Sequence, residues 1–130
     1  MDPLEKIIQR HEGVIFAKSF CPHSRQAIED ALSFVGLQKT YTLSDAKRDL
    51  KKYKDVIVYF LDCDCKSDSQ MEDIQKRLAK LSTDGETTVP RIWFRDIPTM
   101  QGIGADEFVR QVNKIKISPT MTGEQFLKSK

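Results

Sequence analysis

Two short apolar runs constrain the fold of this chain more than anything else in it. Val14-Ile15-Phe16-Ala17 and Val56-Ile57-Val58-Tyr59-Phe60-Leu61 are unbroken stretches of apolar and β-branched residues. A strand with one face in water alternates apolar with polar residues, whereas a strand covered on both faces does not. Both runs therefore predict buried strands, and a helical pattern after each predicts two successive βα units with parallel strands.

The remaining elements arrange themselves around that pair. Pro3 after Asp2 suits a first helical position behind a cap, and Leu4, Ile7 and Ile8 form a short apolar stripe ending near Gly13. After the first strand, Ala27, Ile28, Ala31, Leu32 and Val35 recur at helical spacing, with Pro22 as the start and Gly36 as the stop. Ser44 is the predicted cap of a short helix running through Leu50 and Tyr53 in a lysine-rich stretch. After the second strand, Asp62-Cys63-Asp64-Cys65 opens a loop. From Ser69 onward Met71, Ile74, Leu78 and Leu81 mark one face of a helix that stops before Asp84-Gly85. Residues 91–94 and 97–101 are predicted as a hairpin turning at Arg95-Asp96. Asp106, Phe108, Val112 and Ile115 mark a last helix capped by Gly104 or Asp106, and past Ser118-Pro119 the tail is polar, with only Met121, Phe126 and Leu127 to dock a final helix. The expectation is an α/β fold: a mixed four-stranded sheet, one parallel pair and a hairpin, with helices on both faces.

At 130 residues the chain suffices for one hydrophobic core rather than two. Its 21 Lys and Arg nearly balance 19 Asp and Glu, and the two signs are interleaved, so no nucleic acid and no membrane is expected as partner. The first twelve residues mix charges with their few apolar positions, unlike an export signal, and no segment is long enough to span a bilayer. Three cysteines, Cys21, Cys63 and Cys65, are an odd number, which argues against a secreted disulfide framework and for a cytoplasmic, reducing address.

Of the three, only Cys21 stands where a helix begins. A thiolate is the nucleophilic form, and a free thiol with a pKa of about 8.5 is mostly protonated at neutral pH. At a helix start, unsatisfied backbone N–H groups and the positive dipole end favour the anion. Lys18 would add a nearby charge and the Ser24 hydroxyl a hydrogen bond.

Lys18-Ser19-Phe20-Cys21-Pro22-His23-Ser24 resembles the glutaredoxin active-site loop, with its lysine three residues before the nucleophile. Thr88-Val89-Pro90 is similar to the Thr-Val-cis-Pro turn that faces the cysteine in that family, and a glycine-containing helix start follows. The resemblance covers roughly residues 3–115 and implies a thioredoxin-like fold, with a glutaredoxin domain over 1–117 and a polar tail over 118–130. It implies glutathione as co-substrate, glutathionylated proteins or small mixed disulfides as partners, a monomer, and no metal. Cys21 and Ser24 would be catalytic. Lys18, His23, Gln75, Thr88, Val89, Pro90, Gly104, Ala105 and Asp106 would bind glutathione. Asp106 either receives the γ-glutamyl ammonium or caps the helix, and His23, where relatives carry an aromatic residue, either tunes or contacts the site or is a surface side chain.

Two departures matter. Ser24 replaces the second cysteine of a C-x-x-C pair, so the loop holds no resolving thiol, and the expected reaction is monothiol removal of glutathione from mixed disulfides. Cys63 and Cys65 are either a remote resolving pair or ordinary free cysteines. Ile103 stands where the family has a glycine, so weaker glutathione binding is expected, relieved by Ile103→Gly. The alternatives are a carrier of a [2Fe–2S] cluster ligated by Cys21 and glutathione, or a redox-inactive thioredoxin-like binding module.

Overall fold

The computed structural model describes residues 2–38, 40 and 42–117, the side chains of 116 and 117 excepted. Its elements are α1 (Pro3–Arg10), β1 (Gly13–Ala17), α2 (Pro22–Phe34), α3 (Leu43–Lys54), β2 (Val56–Phe60), α4 (Leu61–Asp64), α5 (Asp68–Leu81), β3 (Arg91–Phe94), β4 (Gln101–Ile103) and α6 (Ala105–Ile117). One sheet of order β2-β1-β3-β4 results. β1 and β2 are parallel, with Ile15 opposite Val58, while β3 is antiparallel to both β1 and β4. This is the thioredoxin-like arrangement, with helices on both faces.

The unbroken apolar runs are explained by two cores. Ile15, Ala17, Val58, Phe60, Ile92 and Phe94 face α2, α3 and α6, where they meet Ile28, Leu32, Leu50 and Phe108. Phe34, Phe94 and Phe108 form an aromatic trio there, with Phe34 and Phe94 edge to face at 5.2 Å. Val14, Phe16 and Trp93 point to the opposite face, against Leu4 and Ile8 of α1 and Leu78 of α5. Every β1 residue is consequently buried although consecutive side chains point opposite ways. Among the described residues, no helix is long and apolar enough to cross a membrane.

Four sequence expectations need correction. The cap of α3 is Thr42, whose hydroxyl accepts the Asp45 N–H at 3.0 Å, rather than Ser44. The second strand ends at Phe60, because Leu61–Asp64 winds into a single helical turn in place of the expected loop. α5 starts at Asp68, one residue early, capped by Ser67. The last strand is Gln101–Ile103, not 97–101. Residues 95–100 instead close two tight turns, with Ile97 N–H donating to Phe94 O and Met100 N–H to Ile97 O. Pro98 has no N–H for a ladder, and Ile97 and Met100 are buried as the floor of the connection. The tail from 118 onward lies outside the described residues.

Candidate functional site

Where β1 ends, the chain turns through Lys18, Ser19 and Phe20 and enters α2 at Pro22, with Cys21 as its N-cap residue. The turn is held at several points. Cys21 N–H donates to Lys18 O at 3.1 Å, and Lys18 N–H donates to the hydroxyl of the fully buried Ser24, also at 3.1 Å. From α4, directly after β2, Asp62 accepts the Ser19 N–H at 2.8 Å and the Ser19 hydroxyl. The parallel pairing of β1 and β2 makes this possible, since both strands deliver their C-terminal ends to the same edge. Asp62 was not among the residues expected at the site. An acid directly after an apolar run was its only signal in the sequence.

The thiol of Cys21 is half-buried. Burial pushes its pKa up, but the Ser24 N–H and hydroxyl, the His23 N–H and the Lys18 charge together outweigh that and bring it below the ordinary thiol value. Asp62 is likewise held below the usual carboxylate value, its burial outweighed by the hydrogen bonds from Ser19.

His23 carries the α2 N-terminus to the wall of a cavity of about 420 Å³. The facing wall is Thr88, Val89 and Pro90, and the Val89–Pro90 peptide bond is cis. The third wall is the start of α6, with Gly104, Ala105 and Asp106. There Gly104 O accepts the Phe108 N–H at 2.9 Å, so of the two cap candidates Gly104 takes the capping position. Six of the residues named from the sequence thus line one cavity with His23. Lys18 and Cys21 precede His23 and Ser24 follows it, and none of the three lines the cavity itself. Gln75 is also outside it, donating from α5 to Thr87 O at 2.9 Å, where it braces the Thr88-Val89-Pro90 segment.

Asp84, Arg91, Glu107 and Arg110 also line the cavity and were not expected there. Arg110 pairs with Glu107 at 2.8 Å, and Arg91 pairs with Asp84 at 2.6 Å. Burial raises the Asp84 pKa, but the Arg91 guanidinium and the Glu86 N–H outweigh it and leave the carboxyl below its usual range. A charge opening the otherwise apolar strand Arg91-Ile92-Trp93-Phe94 was the one trace Arg91 left in the sequence.

Ile103 does not act as its position in the sequence suggested. It belongs to β4, is buried, and packs into the larger core. The positive φ at this turn, 76°, falls on Gly102, where an added Cβ would lie 2.6 Å from Ser82 Cα. The Ile103 side chain is thus turned into the core and does not line the cavity, so it is not the side-chain obstruction read from the sequence.

All three cysteines are unpaired. Cys63 is exposed near the Ser19–Asp62 pair, its sulfur 3.7 Å from Asp62 Oδ2. Cys65 packs against the smaller core, and its thiol is pushed up by burial and by the neighbouring Asp64. Cys21 and Cys65 are therefore shifted in opposite directions, Cys21 towards the anion.

Comparison with known proteins adds the fold. The structure is similar to oxidized glutaredoxin 2 from Chlamydomonas reinhardtii, with a TM-score of 0.56 and 15% identity over 85% of this chain and 79% of that one. It is also similar to a dithiolic glutaredoxin from Trypanosoma brucei brucei, with a TM-score of 0.53 and 19% identity over 88% of this chain and 89% of that one. No protein-family model and no curated protein matches the sequence.

Proposed function

We propose that this chain is a glutathione-dependent thiol oxidoreductase that works by a monothiol route through Cys21, in a reducing compartment and on glutathionylated proteins or small mixed disulfides. One observation carries the reading: a thiol whose surroundings favour its anion sits at a helix start, two residues from His23 in the wall of a cavity closed by a cis-proline turn and a second helix start. The likeness of fold to two glutaredoxins supports it. One of these is named dithiolic, whereas position 24 here is serine.

In the proposed cycle the Cys21 thiolate attacks the glutathione sulfur of a mixed disulfide. The old S–S bond breaks, the substrate leaves as a thiolate that takes up a proton, and Cys21 carries the glutathionyl group. A second glutathione thiolate then attacks that glutathionyl sulfur, releasing oxidised glutathione and restoring the Cys21 thiolate. Val89 would pair its peptide group with the glutathione backbone. The N–H groups at the start of α6 would receive a carboxylate, and Asp106 the ammonium. Phe20, 69% exposed next to Cys21, offers an apolar contact for the protein part of the substrate.

The test is a mass measurement combined with a turnover assay on a glutathionylated peptide. One glutathione should add to the protein and be lost in Cys21→Ser, which should also abolish turnover, while Cys63→Ser and Cys65→Ser keep most of it. A Cys63→Ser variant as inactive as Cys21→Ser would refute the monothiol route.

A further inference from the structure

Arg91 is the most heavily committed side chain around the cavity, and the proposed chemistry does not use it. It is 3% exposed, at the first position of a strand whose other residues are apolar. A guanidinium has five N–H donors. Here Nε donates to Thr88 O at 2.8 Å, Nη2 to Thr88 Oγ1 at 2.8 Å, and Nη1 to both Gly102 O at 3.0 Å and Asp84 Oδ1 at 2.6 Å. Nη2 also lies 3.1 Å from where a Cβ on Gly104 would stand, so the absence of a side chain there lets the guanidinium lie against the start of α6.

These bonds join segments that are separate in sequence: Thr88 in the cavity wall and Gly102 in β4, two residues before the Gly104 that caps α6. Asp84 anchors the far side from the 82–87 loop. That loop is itself fastened to β4 by Thr83, whose N–H donates to Gln101 O at 3.1 Å. Desolvation of the buried guanidinium offsets most of what its pairing with the part-exposed Asp84 adds to stability, so the pair's distinctive contribution is directional.

We infer that Arg91 is a positioning residue for ligand binding: its buried guanidinium fixes the spacing between the Val89 wall and the α6 start, and Asp84 holds it in that pose. The inference rests on the glutathione reading above. It separates binding from thiol chemistry, because the guanidinium bonds to the cavity walls and not to the Cys21 loop.

The experiment is saturation kinetics in glutathione together with the pH dependence of Cys21 alkylation, for the parent, Arg91→Lys and Asp84→Asn. Lysine keeps the charge but cannot form the fork of bonds. Arg91→Lys should raise the apparent Michaelis constant for glutathione about tenfold or more, with kcat and the alkylation midpoint unchanged. Asp84→Asn should move the same constant by less. Asp84 lies on the exposed side of the pair, so this variant carries the test if Arg91→Lys does not fold. Parent-like saturation in the folded variants, or a loss falling on kcat or the alkylation midpoint, overturns the inference. A parent chain that does not saturate with glutathione overturns the underlying functional reading instead, a failure visible before any variant is compared.

Discussion

The sulfur of Cys21 is pulled in two directions. Burial disfavours the thiolate, while the donors of the first helical turn and the Lys18 charge favour it, and the donors prevail. Ser24 contributes both an N–H and a hydroxyl, and the charge of Lys18 is the smaller influence. In a Cys63→Ser, Cys65→Ser background, Ser24→Ala should therefore raise the pH midpoint of Cys21 alkylation, and Lys18→Gln should raise it less. Ser24→Ala with an unmoved midpoint would mean that the helix start alone sets the acidity. Ser24 also shows how a residue can be named correctly for an incomplete reason. The sequence put a hydroxyl one turn from the cysteine, and the structure adds that the same oxygen accepts the Lys18 N–H and so holds the loop in shape.

Among the elements, β4 departs most from expectation, and the departure reverses a prediction. A hairpin turning at Arg95-Asp96 would have left Ile103 in the loop before α6. The chain instead spends residues 95–100 on consecutive turns, and Phe94 N–H reaches Met100 O at 2.9 Å. The strand then begins at Gln101, with Ile103 opposite Ile92 in the core. Removing the Ile103 side chain should open a cavity and loosen the backbone, so Ile103→Gly should destabilise the fold by roughly 3 kcal/mol. Gly102→Ala should also destabilise it, because alanine would have to adopt a φ of 76° against the Ser82 backbone. Urea unfolding of both variants checks this. An Ile103→Gly protein with an unchanged midpoint and tighter glutathione binding would restore the original expectation.

Across the described residues, three of the carboxylates that tie separate segments together, Asp2, Asp62 and Asp84, are held below their usual pKa. Asp2 caps α1 and takes a 2.7 Å hydrogen bond from Arg77 of α5, the principal cause of its lowered value. Asp62 joins α4 to the Cys21 loop, and Asp84 joins the 82–87 loop to β3. A carboxylate whose folded pKa is depressed stabilises the fold above its unfolded value, 3.8 for each of these. That contribution is lost as the pH falls through the lower, folded value. Thermal stability should thus change little between neutral pH and about 5, then fall steeply below about 4. Asp62→Asn should lower Tm at neutral pH and converge on the parent in acid. A Tm difference that is the same at every pH would show that the Asp62 charge is not what stabilises the loop.

The two buried strands and the helix behind Cys21 were legible in the sequence because each rests on local rules, whereas the Thr88-Val89-Pro90 turn was legible only through its resemblance to a family turn. Side-chain periodicity, proline at a helix start and glycine at a helix end act within a few residues. What the tertiary structure decided depends on which distant segments meet. No local pattern marks that the Gln75 amide donates to Thr87 across the turn of the chain. Ile103 looks like an obstacle until β4 turns it into the core, and Arg91 looks like an ordinary strand start until Thr88, Asp84 and Gly102 gather around its guanidinium. A buried charge must find its partners wherever the fold brings them, and no local pattern records where that will be.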